Sequence, residues 1–230
     1  MTSQRWIPAC LLLLIAGAAP AREPARNWTG WHAGAFGGYV DAGLTSDSSG
    51  HEQTTGQYDD NSPILGIRGG YDRQFANGWL AGAELILPLY MSKGTALDTL
   101  YFPDSNPRVK YEADFRWGVL LGGRAGRPFG KALPYVFAAA GLGNANGKTL
   151  NVDDNDNYSP GFVQSAAATH FIWQAGGGGE YQLTPRVVAG GRVGAFMGAK
   201  ADHTMPWNEP GPNKFGMKSL LLQANLGYRF

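Results

Sequence analysis

The chain has 230 residues, with 19 Lys and Arg against 18 Asp and Glu, and a net charge of +1. This balance supplies no basic field for nucleic acid, so we expect no nucleic-acid partner. The only cysteine is Cys10; the sequence after it therefore excludes disulfides, thiolate catalysis and cysteine metal sites.

The first 21 residues have the pattern of a secretory signal peptide. Arg5 precedes an apolar run over residues 6–16, and the segment closes on Ala19-Pro20-Ala21, an A-x-A cleavage pattern. A retained anchor is the alternative, but the run is shorter than the roughly 20 residues that a transmembrane helix needs. We predict a cleaved signal over residues 1–21 and one domain over residues 22–230.

Period-two alternation of apolar and polar residues recurs along the rest of the chain. In DFRWGVLLGGRA, Phe115, Trp117, Val119 and Leu121 share an apolar face, and Leu120 is an exception on the polar face. Helical periodicity is absent from this part of the sequence. The pattern predicts eight β-strands, in segments near 31–40, 64–72, 79–87, 114–125, 133–143, 169–183, 187–197 and 219–230.

The predicted connections alternate in length. Asn77-Gly78, Pro128-Phe129-Gly130 and Thr184-Pro185-Arg186 have the chemistry of short turns. The four other connections are long and polar, over Gly43–Ser62, Ser92–Arg108, Asn144–Ala167 and Ala199–Gly216. Short turns at one end and long loops at the other are typical of a transmembrane β-barrel.

A soluble sheet with an aromatic core is the alternative fold, and alternation alone does not exclude it. Three features favour an all-β, eight-stranded antiparallel up-and-down transmembrane barrel. The strands reach the roughly 9–11 residues needed to span a bilayer, and the loops separate by length. The last segment also alternates up to Phe230, as a closing strand would, and closure is required in lipid.

The polar faces of these strands would then line the lumen. An eight-stranded barrel is just wide enough for side chains to fill it. We expect four cations and four anions to pair there, with small glycines (118, 122, 176 and 178) leaving room for the arginines. If the sheet is soluble instead, these charges are a solvated face. The predicted lumen charge network is Arg68, Asp72, Glu84, Asp114, Arg116, Arg124, Glu180 and Arg192.

Several motifs resemble the small porin-like, opacity-type outer-membrane β-barrel proteins of Gram-negative bacteria. The opening NWTGWHAGAFGGY matches their W-T-G-aromatic start, at Trp28, Thr29, Gly30 and Trp31. GRAGRPFGKALPYVFAAAGLG, GGGGEYQLTPRV and NLGYRF are similar to later family segments. Together these resemblances cover nearly all of the chain after the signal.

The resemblance implies an eight-stranded barrel in the cell outer membrane, surrounded by lipid and lipopolysaccharide. It also implies insertion by the outer-membrane barrel assembly machinery, with Leu226, Tyr228 and Phe230 as the assembly signal. Aromatic girdles at the two membrane interfaces are expected; core packing is the alternative role for the same residues. The girdle candidates are Trp31, Tyr71, Trp79, Trp117, Trp173 and Tyr228.

Catalytic and metal motifs are weak. Serine-esterase chemistry needs a histidine beside a serine, and none of the four histidines is followed by serine two residues on. DDNDN at 153–157 offers oxygen ligands, but Tyr158 replaces the turn glycine of a calcium loop. We expect no cofactor, no metal and no enzymatic activity.

Three functions follow, in order of preference. The first is a non-enzymatic barrel whose lumen is plugged by charged side chains. Its role is structural or surface-interacting, through four long extracellular loops that contact an unidentified surface ligand. The second is a narrow porin-like channel for small solutes. The third is an enzyme that modifies lipid A.

Overall fold

The computed structural model describes residues 27–47, 60–91, 94–98, 108–152, 158–203 and 213–230. The predicted signal peptide and the DDNDN segment lie outside these residues. Within the described ranges, no helix is long and apolar enough to span a membrane.

The described regular structure is one antiparallel sheet. Its strands are β1 Gly30–Asp47, β2 Asp60–Gln74, β3 Leu80–Met91, β4 Gly94–Asp98, β5 Arg108–Gly126, β6 Ala132–Val152, β7 Tyr158–Gln182, β8 Val187–His203 and β9 Asn213–Arg229.

The sheet closes into a barrel through two pairings: the first strand pairs with the last, and β3 pairs with β5. β1 and β9 are antiparallel from His32 opposite Arg229 to Asp47 opposite Lys214. β3 pairs with β5, and the short β4 continues along the same edge of β5. β3 and β4 therefore share one position in the wall, and the predicted eight-stranded antiparallel barrel is confirmed.

Three short turns lie at one end of the barrel, which we call the short-turn end; the opposite end is the loop end. The β2–β3 turn places Gly78 at φ 83°, a conformation that favours glycine. There the Asn77 side chain accepts a hydrogen bond from the Trp79 amide at 3.1 Å. Gly130 has a φ of 58° in the β5–β6 turn. In the β7–β8 turn the Thr184 hydroxyl accepts from the Val187 amide at 3.0 Å.

Several strands are longer than the sequence predicts. The sequence assigns residues 144–167 to a loop, but β6 and β7 stay paired from Asn144 opposite Thr169 to Leu150 opposite Val163. The strands stay paired through their backbones there although the sequence no longer alternates between apolar and polar residues. Because the strand ends are predicted from that alternation alone, the extensions are not predicted. β7 has 25 residues, well beyond the roughly 9–11 that span a bilayer. The barrel wall therefore continues past the membrane at its loop end.

The outer surface of the barrel is apolar. Leu121, Val136 and Leu226 are 69%, 64% and 59% exposed. In a soluble sheet with an apolar core, side chains of this kind would be buried instead. All six girdle candidates are also exposed on this outer face. An apolar exterior around a closed sheet is the arrangement that a transmembrane barrel requires.

Candidate functional site

The candidate site is a cluster of buried charges inside the barrel, near the short-turn end. Its members come from six strands of the wall, and each is at most 7% exposed. We call it the charge cluster: Arg68, Asp72, Glu84, Arg124, Glu180, Arg192 and Arg229.

Arg124 of β5 lies at the centre of the charge cluster. Its Nε and Nη2 donate to the two carboxylate oxygens of Asp72 at 2.9 and 2.6 Å. Its Nη1 donates to Glu180 Oε1 at 2.8 Å. A bidentate arginine–carboxylate pair is among the strongest charge-assisted contacts in proteins. Arg124 thus ties β5 to β2 and to β7 across the lumen.

Arg68 and Glu84 extend the network around the lumen. Arg68 Nη2 donates to Glu180 Oε1 at 2.5 Å, and its Nη1 lies 3.9 Å from Glu84 Oε2. Glu84 Oε2 in turn accepts from Arg192 Nη2 at 2.6 Å. The contacts therefore link β2, β3, β7 and β8 through side chains alone.

Two aromatic rings hold Arg192. The Tyr135 hydroxyl accepts from Arg192 Nε at 2.9 Å. The guanidinium carbon lies 5.3 Å from the centroid of the Tyr135 ring and 4.6 Å from that of Phe137. Cation–π contacts of this kind strengthen when water is excluded. Arg192 therefore occupies one fixed position in the lumen.

Trp28 lies at the short-turn end, below the charge cluster. It is 1% exposed, and its ring nitrogen donates to the Gly130 carbonyl of the β5–β6 turn at 3.4 Å. Its backbone amide donates to Gln74 Oε1 at 3.0 Å. Arg229 stacks on the Trp28 ring at 5.1 Å, donates to the Trp28 carbonyl, and donates to Asp72 Oδ2 at 2.9 Å.

The structure brings together six of the eight sequence-predicted network residues, namely Arg68, Asp72, Glu84, Arg124, Glu180 and Arg192. The prediction for Arg116 differs from the structure, in which this residue is exposed. The β5–β6 register shifts between Phe115 and Trp117, which breaks the alternation there and turns the predicted outward Phe115 into the lumen. The side chain of Asp114 lies outside the described ones.

Sequence reasoning missed Arg229, although a usable signal was present. Arg229 shares the polar face of β9 with Asn225 and Gln223, both of which are also buried. With Arg229 included, four arginines face three carboxylates among the described lumen residues. The predicted four-to-four balance therefore does not describe this part of the lumen.

An apolar layer lies in the lumen between the charge cluster and the loop end, at positions where the sequence predicts polar side chains. Phe115 packs edge-on against Phe196 with ring centroids 6.4 Å apart. We define the apolar layer as Phe36, Val40, Ile64, Ile86, Phe115, Leu120, Ile172, Phe196 and Leu221, all at most 5% exposed. The barrel therefore contains a packed core as well as a network of charges.

Lumenal glycines make room for aromatic rings and close backbones rather than for arginines. A Cβ added to Gly178 would lie 2.8 Å from the Tyr135 ring, and one added to Gly143 would lie 2.6 Å from the Phe115 ring. At Gly122 it would meet the Ala138 carbonyl oxygen at 2.4 Å. Their small size therefore lets neighbouring rings and backbone atoms approach closely inside the barrel.

Two buried histidines, His32 and His170, contact other groups of the barrel. His32 Nε2 is 3.7 Å from Asp72 Oδ1 in the charge cluster, and His170 Nδ1 is hydrogen-bonded to the Ala199 carbonyl at 3.0 Å. Among the described residues, no group of three or more His, Cys, Asp or Glu is placed to hold a metal ion.

A family comparison matches residues 9–230 to the outer membrane protein beta-barrel domain. No curated protein matches the chain.

Solved structures align with the chain at low sequence identity, and two of them, with TM-scores of 0.52 and 0.50, share its fold. The outer membrane protease OmpT of Escherichia coli aligns with a TM-score of 0.52 and 8% identity, over 87% of this chain and 97% of that one. A major outer membrane protein of Thermus thermophilus aligns at 0.50 and 14%, over 88% and 100%. The outer membrane protein OprG of Pseudomonas aeruginosa aligns at 0.44 and 14%, over 90% and 99%. Because one of these neighbours is a protease, the fold by itself is compatible with both enzymes and non-enzymes.

Proposed function

This chain belongs to the outer membrane protein beta-barrel domain family, and on that premise we propose that it is a non-enzymatic barrel with a closed lumen. Its role is structural or surface-interacting, through loops that face the cell exterior. The observation that supports the proposal is the burial of two successive layers of lumenal side chains. The charge cluster lies near the short-turn end and the apolar layer lies above it, and every side chain in both is at most 7% exposed.

Each layer closes the lumen for a different physical reason. The arginines and carboxylates are held by mutual contacts of 2.5–2.9 Å, so moving one leaves another buried charge unpaired. The apolar layer offers no polar partner to a hydrated solute, and stripping an ion of its water is costly. A structural or loop-based role needs no open path and agrees with both layers.

Planar-bilayer recording tests this closed lumen directly. We expect the native protein to give no stable conductance steps, because both layers block the path. The double variant Phe115→Ala, Phe196→Ala removes two rings of the apolar layer and should give small steps. Phe171→Ala, which alters an exposed ring of the outer face, is the matched control and should stay silent. Large stable steps from the native protein would instead favour a channel.

A narrow channel for small solutes is the second candidate. Nine buried polar side-chain atoms in the described part of the chain have no hydrogen-bond partner, among them Arg68 Nη1, Glu84 Oε1 and Glu180 Oε2. Buried polar atoms of this kind are normally hydrated. A hydrated charge cluster with excess arginine would favour small anions over cations, so ion selectivity in the same recordings distinguishes this candidate.

We also propose that Leu226, Tyr228 and Phe230 form the signal read by the barrel assembly machinery. All three face outward and are exposed, and the Tyr228 and Phe230 rings contact edge-on at 5.1 Å. An exposed apolar row at alternate positions of one strand can be recognised before the barrel closes.

A further inference from the structure

The outer wall of the barrel has a recess of about 650 Å³ that crosses β1, β2, β3 and β5. Small residues form its floor: Ala33 pairs with Gly69, and Ala83 lies opposite Tyr71. Trp31, Tyr71 and Leu121 stand along its sides. The recess faces outward on the apolar band, so its surroundings in the membrane are hydrocarbon.

Basic residues border the short-turn side of this recess. Arg73 follows Tyr71 by two positions, on the same face of β2. Across the wall, Arg73 lies opposite Ala81 of β3, and Ala81 lies opposite Ala125 of β5. Arg127 follows Ala125 by two positions, and its Nε lies close to Gly78 of the β2–β3 turn. Both arginines are exposed. Arg73 also stacks on Phe75, with its guanidinium carbon 5.7 Å from the ring centroid.

The described part of the short-turn rim carries one sign of side-chain charge. Described residues 27–29, 73–79, 127–131 and 183–186 include Arg73, Arg127, Lys131 and Arg186, and they contain no acidic side chain. Arg186 is held toward the outside, since its Nη1 donates to the Tyr228 hydroxyl at 3.0 Å.

We propose that this recess and its basic border form a binding site for a membrane phospholipid with an anionic headgroup. One acyl chain lies in the recess, and the headgroup lies at Arg73 and Arg127. Basic residues at a membrane surface attract anionic lipids, and guanidinium groups suit phosphate oxygens.

A second copy of the chain is a poorer occupant of the recess. Two copies meeting face to face there would bring Arg73 and Arg127 of both to one rim, and like charges repel. A lipid instead supplies the apolar chain and the opposite charge in one molecule. The site is independent of the proposed loop function, because it lies on the outer wall at the other end of the barrel.

Native mass spectrometry of the detergent-solubilised full chain tests this site, with phosphatidylglycerol and phosphatidylcholine of equal chain length as probes. Both probes carry a phosphate, but only phosphatidylglycerol is anionic overall. We expect the native protein to retain phosphatidylglycerol in preference. Arg73→Gln and Arg127→Gln should each reduce that preference about fivefold, the effect of roughly one basic residue at an anionic surface. The matched control Arg116→Gln changes an exposed arginine nearer the loop end and should leave the preference for phosphatidylglycerol unchanged.

The apolar half of the site is tested separately. Ala83→Phe places a ring in the recess and should reduce retention of both lipids, whereas Ala224→Phe, at an exposed outward position outside the recess, should not. A heat-dependent shift on detergent gels shows that each variant is folded. Equal retention of the two lipids by the native protein would overturn the proposal. So would a preference that survives the double arginine substitution, or displacement of the lipid by millimolar inorganic phosphate.

Discussion

Arg124 shows at the scale of one residue how the lumen is organised. It is 3% exposed and bonds two carboxylates from different strands. Alternation along β5 was enough to predict its inward orientation, because its neighbours Leu121 and Ala125 are apolar and outward. Alternation could not identify its partners, since period-two patterns give the face of a residue and not its height in the barrel.

Replacing Arg124 should destabilise the barrel strongly. Arg124→Gln leaves Glu180 with Arg68 alone and removes the bidentate contact to Asp72, so we expect a loss of about 3–5 kcal/mol, the usual cost of breaking a buried ion pair. Equilibrium unfolding in urea with liposomes, followed by tryptophan fluorescence, measures this loss. Arg116→Gln, at an exposed position, should change stability by no more than about 0.5 kcal/mol. Equal losses in the two variants would show that the charge cluster does not stabilise the barrel.

At the scale of elements, β5 shows where sequence reasoning fails. The irregularity between Phe115 and Trp117 breaks the alternation of faces, so that Phe115 is buried while Arg116 and Trp117 are both exposed. A strict alternation therefore assigned Arg116 to the lumen and Phe115 to the exterior. A bulge of this kind leaves no mark in the polarity pattern, because Phe115, Arg116 and Trp117 alternate in polarity even though their side chains do not alternate between the two faces.

The closing seam between β1 and β9 depends on glycine. A Cβ added to inward-facing Gly38 would lie 1.9 Å from the Leu222 carbonyl oxygen, whereas one added to outward-facing Gly37 meets first the Leu65 side chain, at 3.1 Å. We expect Gly38→Ala to cost about 1–3 kcal/mol, as overpacking does, because backbone atoms must move. Gly37→Ala is its neighbour and control. The folded fraction on unboiled detergent gels compares the two, and equal fractions would contradict the packed seam.

The outward aromatics of β9 provide a second prediction at this scale. If they form the assembly signal, the double variant Tyr228→Ala, Phe230→Ala should lower the amount of barrel in the outer-membrane fraction several-fold in cells. Leu222→Ala changes an exposed outward residue of the same strand and should have little effect. Refolding into detergent in vitro separates a recognition defect, which disappears there, from a stability defect. Undiminished insertion of the double variant would exclude the signal.

At the scale of the whole molecule, the sequence predicted the barrel and a lumen occupied by charged side chains, but not the apolar layer. Strand number and closure follow from period-two segments and alternating loop lengths, which are local properties of the chain. The apolar layer requires Phe36, Ile86 and Phe196 from three strands to meet at one height. That meeting depends on the register between strands, which no single segment encodes. Leu120, the one exception noted on a polar face, was the visible trace of this layer.

The central claim is that the apolar side of these strands faces lipid and the other side faces a closed lumen. Spin labels at the neighbouring β9 positions Asn225 and Leu226 test it most directly, because these residues are 8% and 59% exposed. In liposomes, the label at 226 should be accessible to lipid-dissolved oxygen, and the label at 225 should be shielded from both oxygen and a water-soluble nickel complex. A label at 226 that is shielded from oxygen, beside a label at 225 that is open to it, would contradict the account.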